Sequence, residues 1–290
     1  MFGPNTHFCS TEIINYSHRD AAFFKLFQNL TSAIKDKFEL DAYDIIFVPG
    51  SGTLSIESVM FSLLNKVQVL GNDGVFKDRW QKMSDYYNNT KKGRGVERLF
   101  CQLETSRSLV NVEPDGNIVD AISAFPYYHL PKNTDIFVTC SNKILGSFVG
   151  LGIIGIKKEA WDRLSDDSVF SYLNLRRYKN FSLLNQTPST TPTNIYEHLY
   201  KNIKSLDLSA LRYNIDMHSD MIVDCIGSDN IIGERRCPVI TLKPNTVSQD
   251  IAEKFSLYGL STGKSSYQIF TYSSISKEYE EFCKAIKRNR

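Results

Sequence analysis

Residues Asp135 to Lys157, DIFVTCSNKILGSFVGLGIIGIK, constrain the fold of this chain more than any other stretch. Two apolar, largely β-branched runs flank a polar hinge and a glycine-punctuated loop, and the hinge carries one lysine, Lys143. Short apolar runs without polar alternation predict strands buried on both faces. An ammonium that close to a core costs free energy unless it is paired. Burial lowers a lysine pKa, and a neutral amine attacks carbonyl carbon. The alternative is a strand-end lysine whose stem lies on the core while its head reaches water. This stretch alone leaves both open.

The chain before the hinge repeats one pattern. The segment from Ser17 places Phe23, Phe27, Leu30 and Ile34 at helical spacing, with Ser17 as a cap. Asp44 to Val48 predicts a buried strand, PGSGT a turn, and LSIESVMFSLL a helix. Such a turn suits an anion, because glycine lets the backbone approach and the first helical N–H groups lack partners. It equally suits an ordinary strand-to-helix connection, since Gly and Ser are common there. Strands are predicted at KVQVLGN, VERLFCQ and NIVDA, with a helix opening at GVFKDRWQKM and LETSRS following the third strand of the chain. Ligands in open α/β sheets gather outside the carboxyl ends of the strands. Ser51, Phe76, Thr105, Asp120 and Lys143 are all expected on that one edge. Their convergence favours the reactive lysine over the snorkelling one.

Beyond Lys157 the pattern predicts a helical stretch around Trp161, a loop at SLLNQTPSTTPTN, and a helix over IYEHLYKNI capped by Asn194. A long helix, LSALRYNIDMHSDMIVDCI, leads to strand, helix, strand and helix at PVITLKP, SQDIAEKFSLYG, SYQIFTY and KEYEEFCKAIKR. Strands alternating with helices make this an α/β protein. With 290 residues it has length for one large domain and a smaller one.

A net charge of +2 gives no argument for nucleic acid, and the basic KAIKRNR tail suits a solvated helix end. Six scattered cysteines without a CxxC pair argue against a metal site or a disulfide framework and fit a reducing compartment. No secretory signal pattern and no apolar run of the ~20 residues needed to span a bilayer is present, so a cytoplasmic protein is expected.

The motifs GSGT, GVFKDRW, ETS, VDAIS and SNK, in this order, resemble those of the class V aminotransferases, pyridoxal-phosphate enzymes of fold type I. The serine–pyruvate and 2-aminoethylphosphonate aminotransferase branch is the most similar. The resemblance runs from the Gly-Pro start to near the C-terminus. It implies a mostly parallel sheet in a large domain and a small α/β C-terminal domain. The expected division is an arm over 1–15, the large cofactor-binding domain over 16–195 and the small domain over 196–290.

By this resemblance Lys143 corresponds to the lysine of the internal aldimine with pyridoxal 5'-phosphate, and to the acid–base that moves the substrate's α-proton. Asp120 corresponds to the carboxylate facing the pyridine nitrogen, where a negative charge keeps that nitrogen protonated. Phe76 stands where the family stacks an aromatic on the ring. Ser51, Gly52 and Thr53 resemble the phosphate cup, with Asn142 beside it, and Thr105 or Ser106 falls near the phenolic oxygen. Thr190 matches a threonine that reaches the partner subunit's phosphate, which implies a homodimer. The implied substrates are a small amine or amino acid and a 2-oxo acid. A decarboxylase or lyase on an unusual amine, or a non-catalytic family member, are the alternatives.

The chain departs from the family in two places. Residues 106–117 leave little room for the helix usually found before the Asp120 strand. The small-domain arginine that forks onto a substrate carboxylate is replaced by Gln268, in Tyr267-Gln268-Ile269. Arg107 or Arg19 is then expected to substitute, unless the substrate lacks that carboxylate.

Overall fold

In the computed structural model, residues 16–166, 168, 170–259 and 266–288 are described. The N-terminal arm expected over 1–15 lies outside them. The first half of the chain runs α1 (Ala21–Phe38), β1 (Tyr43–Pro49), α2 (Gly52–Ser62), β2 (Lys66–Leu70), α3 (Val75–Asn88) and β3 (Val96–Cys101). A small hairpin, β4 (Leu103–Glu104) and β5 (Leu109–Val110), precedes β6 (Ile118–Asp120), β7 (Ile136–Cys140) and β8 (Leu151–Lys157). Then follow α4 (Leu175–Ser182), α5 (Thr193–Ser205), α6 (Leu208–Ile226), β9 (Ile231–Ile232), β10 (Val239–Leu242), α7 (Gln249–Lys254), β11 (Gln268–Phe270) and α8 (Ser276–Arg288).

Six strands form one sheet in the order β1-β8-β7-β6-β3-β2. Only β8 runs against its neighbours; β2, β3, β6 and β7 pair parallel. Since β1 opposes β8 and β8 opposes β7, β1 points the same way as the parallel set. Five strands therefore end on one edge. A separate three-stranded antiparallel sheet, β11-β10-β9, is built from the last third of the chain.

Alternation along the strands sends side chains into two cores. Ile45, Phe47, Phe100, Val119 and Phe137 pack with α1 and α5, where Phe23, Phe27, Leu30 and Ile34 form the stripe expected from their spacing. Ile46, Val48, Leu99, Ile118 and Val138 pack on the other face with Trp80 of α3 and Val59 and Met60 of α2. The sheet is thus covered on both sides, which explains why its strands are apolar runs rather than alternating ones.

Local details differ from expectation in three places. Ser17 does not cap α1; its N–H donates to Asp20 Oδ2 at 3.0 Å in a turn, and the helix begins after Asp20. Asn194 lies inside the first turn of α5, which starts at Thr193 after Pro192. Thr193 Oγ1 instead ties the helix start to the backbone of Tyr16, accepting at 3.0 Å and donating at 2.9 Å. The stretch around Trp161 is a 3-10 turn over Lys158–Arg163 rather than a full helix. Between Thr105 and Asp120 the chain makes the β4–β5 hairpin and a turn, without the extra helix. No helix among the described residues is long and apolar enough to cross a membrane.

Candidate active site

Asp120 is the last residue of β6 and is 3% exposed. Alternation from Ile118 turns its side chain toward α3, where Trp80 Nε1 donates to Oδ2 at 2.8 Å. The N–H of Ile122 donates to Oδ1 at 3.0 Å. Burial outweighs these bonds and pushes the carboxyl pKa up to about 6, with the nearby Glu104 carboxylate adding to the rise. The site thus holds a desolvated carboxyl that gains from any cationic partner at the strand edge.

One strand over, β7 ends at Cys140 and Lys143 follows on the hinge. The hinge is closed by Gly146 N–H to Lys143 O at 2.9 Å and by Ser147 N–H to Ser141 O at 2.8 Å. Lys143 is half-buried, and its Nζ lies 5.2 Å from the centroid of Phe270 on β11. Burial lowers its pKa, only partly opposed by Cys140 and Asp120.

Phe76 lies in the first turn of α3, and a buried carboxylate fixes that turn. Glu104 Oε2 accepts from the N–H groups of Phe76 (3.0 Å) and Lys77 (3.2 Å). Its Oε1 accepts from Ser106 Oγ at 2.5 Å, and Ser106 Oγ accepts from Val75 N–H at 3.1 Å. The helix cap residue, Gly74, has no side chain to offer, so Glu104 and Ser106 satisfy donors that a helix start leaves open. A Cβ at Gly74 would sit 2.2 Å from Glu104 Cδ; glycine is what lets the carboxylate in.

At the end of β1, Ser51 caps α2, its Oγ accepting from Leu54 N–H at 3.2 Å. Among the described residues, the N–H groups of Gly52 and Thr53 have no acceptor. Gly50 N–H donates to Gly150 O at 2.8 Å, which ties this turn to the Lys143 loop. Gly52 packs against Ile122, where a Cβ would come within 2.6 Å of Cδ1. The α2 start, the Asp120 strand end and the lysine hinge are therefore adjoining pieces of one edge.

A cavity of about 150 Å³ opens between this edge and the three-stranded sheet. Phe76, Arg79, Thr105, Lys143, Gln268 and Phe270 line it, among others. Gln268 is buried, and its Nε2 donates to Thr105 O. Thr241 Oγ1 donates to the same carbonyl at 2.8 Å. The cavity brings Lys143, Phe76, Thr105 and Gln268 together, with Asp120 beneath through Trp80, the neighbour of Arg79. Asn142 is half-buried beside Lys143.

Neither Arg107 nor Arg19 lines the cavity. Arg107 is exposed, and Arg19 donates through Nη1 to Gln186 Oε1 at 2.7 Å while lying over Phe181. Thr190 is exposed on the loop before α5. Three side chains escape a reading of the sequence. Trp80 and Arg79 stand inside GVFKDRW, and Glu104 opens ETS, so the motifs contained them without indicating what each would touch.

The mainly parallel sheet with five strand ends on one edge is a fold shared with solved aminotransferases. An aspartate aminotransferase of subgroup IV from Thermus thermophilus superposes with a TM-score of 0.79 at 15% identity, covering 98% of each chain. An alanine–glyoxylate aminotransferase from Nostoc sp. gives 0.77 at 15% identity, over 95% of this chain and 89% of its own. A PLP-bound phosphoserine aminotransferase from Trichomonas vaginalis gives 0.75 at 16% identity, over 96% of this chain and 90% of its own. No family model matches the chain. Among curated proteins, a soluble hydrogenase 42 kDa subunit from Anabaena cylindrica is 21% identical over 69% of this chain. An uncharacterized aminotransferase from Methanocaldococcus jannaschii is 22% identical over 61% of it. The chain spans 63% and 56% of the lengths of these two relatives.

Proposed function

We propose that this chain is a pyridoxal 5'-phosphate-dependent aminotransferase that moves an amino group from an amine or amino acid to a 2-oxo acid. The observation that carries this reading is the placement of half-buried Lys143, on the hinge after β7, next to the strand β6 that ends at the buried carboxyl of Asp120. The residues fit the cofactor part by part. Lys143 Nζ suits its aldehyde, and Asp120 suits a protonated ring nitrogen. Phe76 offers a ring face, and Thr105 lines the same cavity. The open N–H groups of Gly52 and Thr53, with Ser51 and Asn142, suit the phosphate.

When bound, the cofactor supplies an electron sink for the carbanion left by loss of the substrate's α-proton. The chain's own part is proton handling and positioning. Asp120 would hold a proton at the ring nitrogen of the bound cofactor and Lys143 Nζ would take and return the α-proton, while Trp80 holds Asp120 and Glu104 holds the turn of Phe76 in place.

We further assign a large domain over 16–195 and a small one over 196–290, with the cavity between their sheets. A homodimer is supported by apolar side chains left in solvent near Thr190: Phe170, Tyr172, Leu183 and Leu184 are 63–78% exposed. A cytoplasmic location is supported by five described cysteines, all buried free thiols.

The test is to add pyridoxal phosphate to the purified chain, record its visible absorbance, reduce with borohydride and map the labelled peptide. Label on Lys143, followed by pyridoxamine phosphate formation with an amino donor, is expected. A chain that takes up no cofactor, or carries it on Lys132 or Lys157, overturns the reading. Screening amines against several 2-oxo acids then separates transfer from lysis.

A further inference from the structure

The cavity beside Lys143 has one other cation among its described lining residues, Arg79. It follows Phe76 by three residues on α3, so both side chains leave the same helical face. The Arg79 guanidinium carbon lies over the Phe76 ring, 5.3 Å from its centroid, a cation–π contact that does not use its N–H donors. No carboxylate among the described residues pairs with it, and it is exposed at the cavity. The turn that carries Phe76 is fastened by Glu104 and Ser106, and Arg79 stands one turn further along that helix. By contrast the amide of Gln268 donates to Thr105 O, and a neutral amide brings no charge. Arg107 and Arg19 lie outside the cavity.

We propose that Arg79 receives the carboxylate of the amino substrate and is the specificity-determining residue of this site. The proposal rests on the aminotransferase reading. A guanidinium with open N–H groups grips a carboxylate through two parallel bonds, whereas a lysine supplies a point charge. Arg79 and Lys143 line the same cavity, so a carboxylate held by Arg79 keeps the substrate's amino group within the cavity that holds the lysine. Selection then works by charge within the cavity, with Phe76 beneath the guanidinium.

The experiment is titration calorimetry of the full chain with succinate and acetate, against the neutral succinamide and acetamide, with and without pyridoxal phosphate. The wild-type chain is expected to prefer the anions. Arg79→Gln should lose about 10- to 100-fold in anion affinity while taking up the cofactor as before, and Arg79→Lys should fall between. Cofactor absorbance in each variant establishes that its fold and site persist. Unchanged anion affinity in Arg79→Gln, no preference for the anions in the wild type, or a loss in Arg107→Gln instead would overturn the proposal. Failure of the wild type to take up cofactor would sink the aminotransferase reading separately, since anion binding is measured on the cofactor-free chain as well.

Discussion

The indole N–H of Trp80 donates to Asp120 Oδ2 at 2.8 Å, joining α3 to the end of β6 beneath the candidate cofactor site. This bond and that from Ile122 offset only part of the cost of burying the carboxyl, and burial pushes its pKa up to about 6 from the ordinary carboxylate range. A carboxyl raised in the folded state contributes stability that is fully present below its unfolded pKa and is lost as pH rises through the folded one. In cofactor-free protein, Asp120→Asn should therefore gain on the wild type as pH climbs from about 4 to about 6, approaching 3 kcal/mol as an order of magnitude. Thermal melts of both proteins across that window check it. A difference that stays flat would mean that Asp120 ionises freely. In the cofactor-loaded enzyme the same variant should lose turnover by several orders of magnitude, because an amide cannot keep the ring nitrogen protonated.

Lys143 carries the opposite electrostatic signature. Burial lowers its pKa, so a larger share of it is neutral amine at a given pH than for a free lysine side chain. Competitive labelling with acetic anhydride, read by mass spectrometry, should place its titration below that of N-acetyl-lysine amide in the same tube. Coincident titrations would contradict the desolvated site. Lys143→Ala should abolish both borohydride-trapped cofactor and turnover.

The parts of this site that were legible in the sequence are those set by residue type at a strand end. Lys143 and Asp120 stand where apolar runs stop, and a charged residue there is visible without knowing the sheet order. Trp80 was hidden because its partner lies 40 residues away, and only the neighbouring of β3 and β6 brings α3 over Asp120. Glu104 was hidden for the same reason: it caps a helix that began 29 residues earlier, so no local capping pattern marks it. Ser17 and Asn194 failed as caps because local chemistry permits several starts, and tertiary ties such as that of Thr193 to Tyr16 choose among them. The two-residue β9 offers too little periodicity to be seen in sequence.

Glu104 gives a test of that hidden architecture. Glu104→Gln keeps the shape but turns an acceptor-only group into one with an N–H₂ that faces backbone donors. The first turn of α3 should loosen, costing about 1–3 kcal/mol in thermal or denaturant unfolding. Cofactor affinity should fall with it, because Phe76 shares that turn. Gly74→Ala should show the same pair of effects, since its methyl enters the space of Glu104. Loss of stability with cofactor affinity intact in both variants would separate the cap from the site.

A second structural cation tests whether α2 needs support at its far end. Lys91 Nζ donates to the carbonyls of Met60 (2.5 Å), Phe61 (3.0 Å) and Leu63 (2.6 Å), closing the C-terminus of the helix whose N-terminus is the candidate phosphate site. A cation there complements the helix dipole and satisfies three acceptors together. Lys91→Met keeps the half-buried stem and removes the head, so the expected cost is about 1–3 kcal/mol in denaturant unfolding. An unchanged midpoint would mean that water replaces the ammonium without loss.

Gln268 supplies the last prediction, because its place and its hydrogen bonds point to different roles. It lies in the cavity at the position that, by the resemblance, carries the family's carboxylate-binding arginine, yet its amide donates to Thr105 O. Thr241 Oγ1 donates to that carbonyl as well, at 2.8 Å, so removing the amide leaves the acceptor satisfied. Gln268→Met, similar in length and without a donor, should therefore cost only about 1 kcal/mol in stability. With Arg79 as the anion's partner, it should leave the preference of the cofactor-loaded chain for succinate over succinamide within about threefold of wild type. If the Gln268 amide itself holds the substrate carboxylate, the same variant should lose about tenfold or more in succinate affinity while its melting temperature barely moves. Gln268→Arg adds the complementary case. A guanidinium placed there would add a second one to the cavity that Arg79 lines, and dicarboxylates should then gain affinity over monocarboxylates. A gain for acetate alone would show instead that position 268 faces the site of the α-carboxylate.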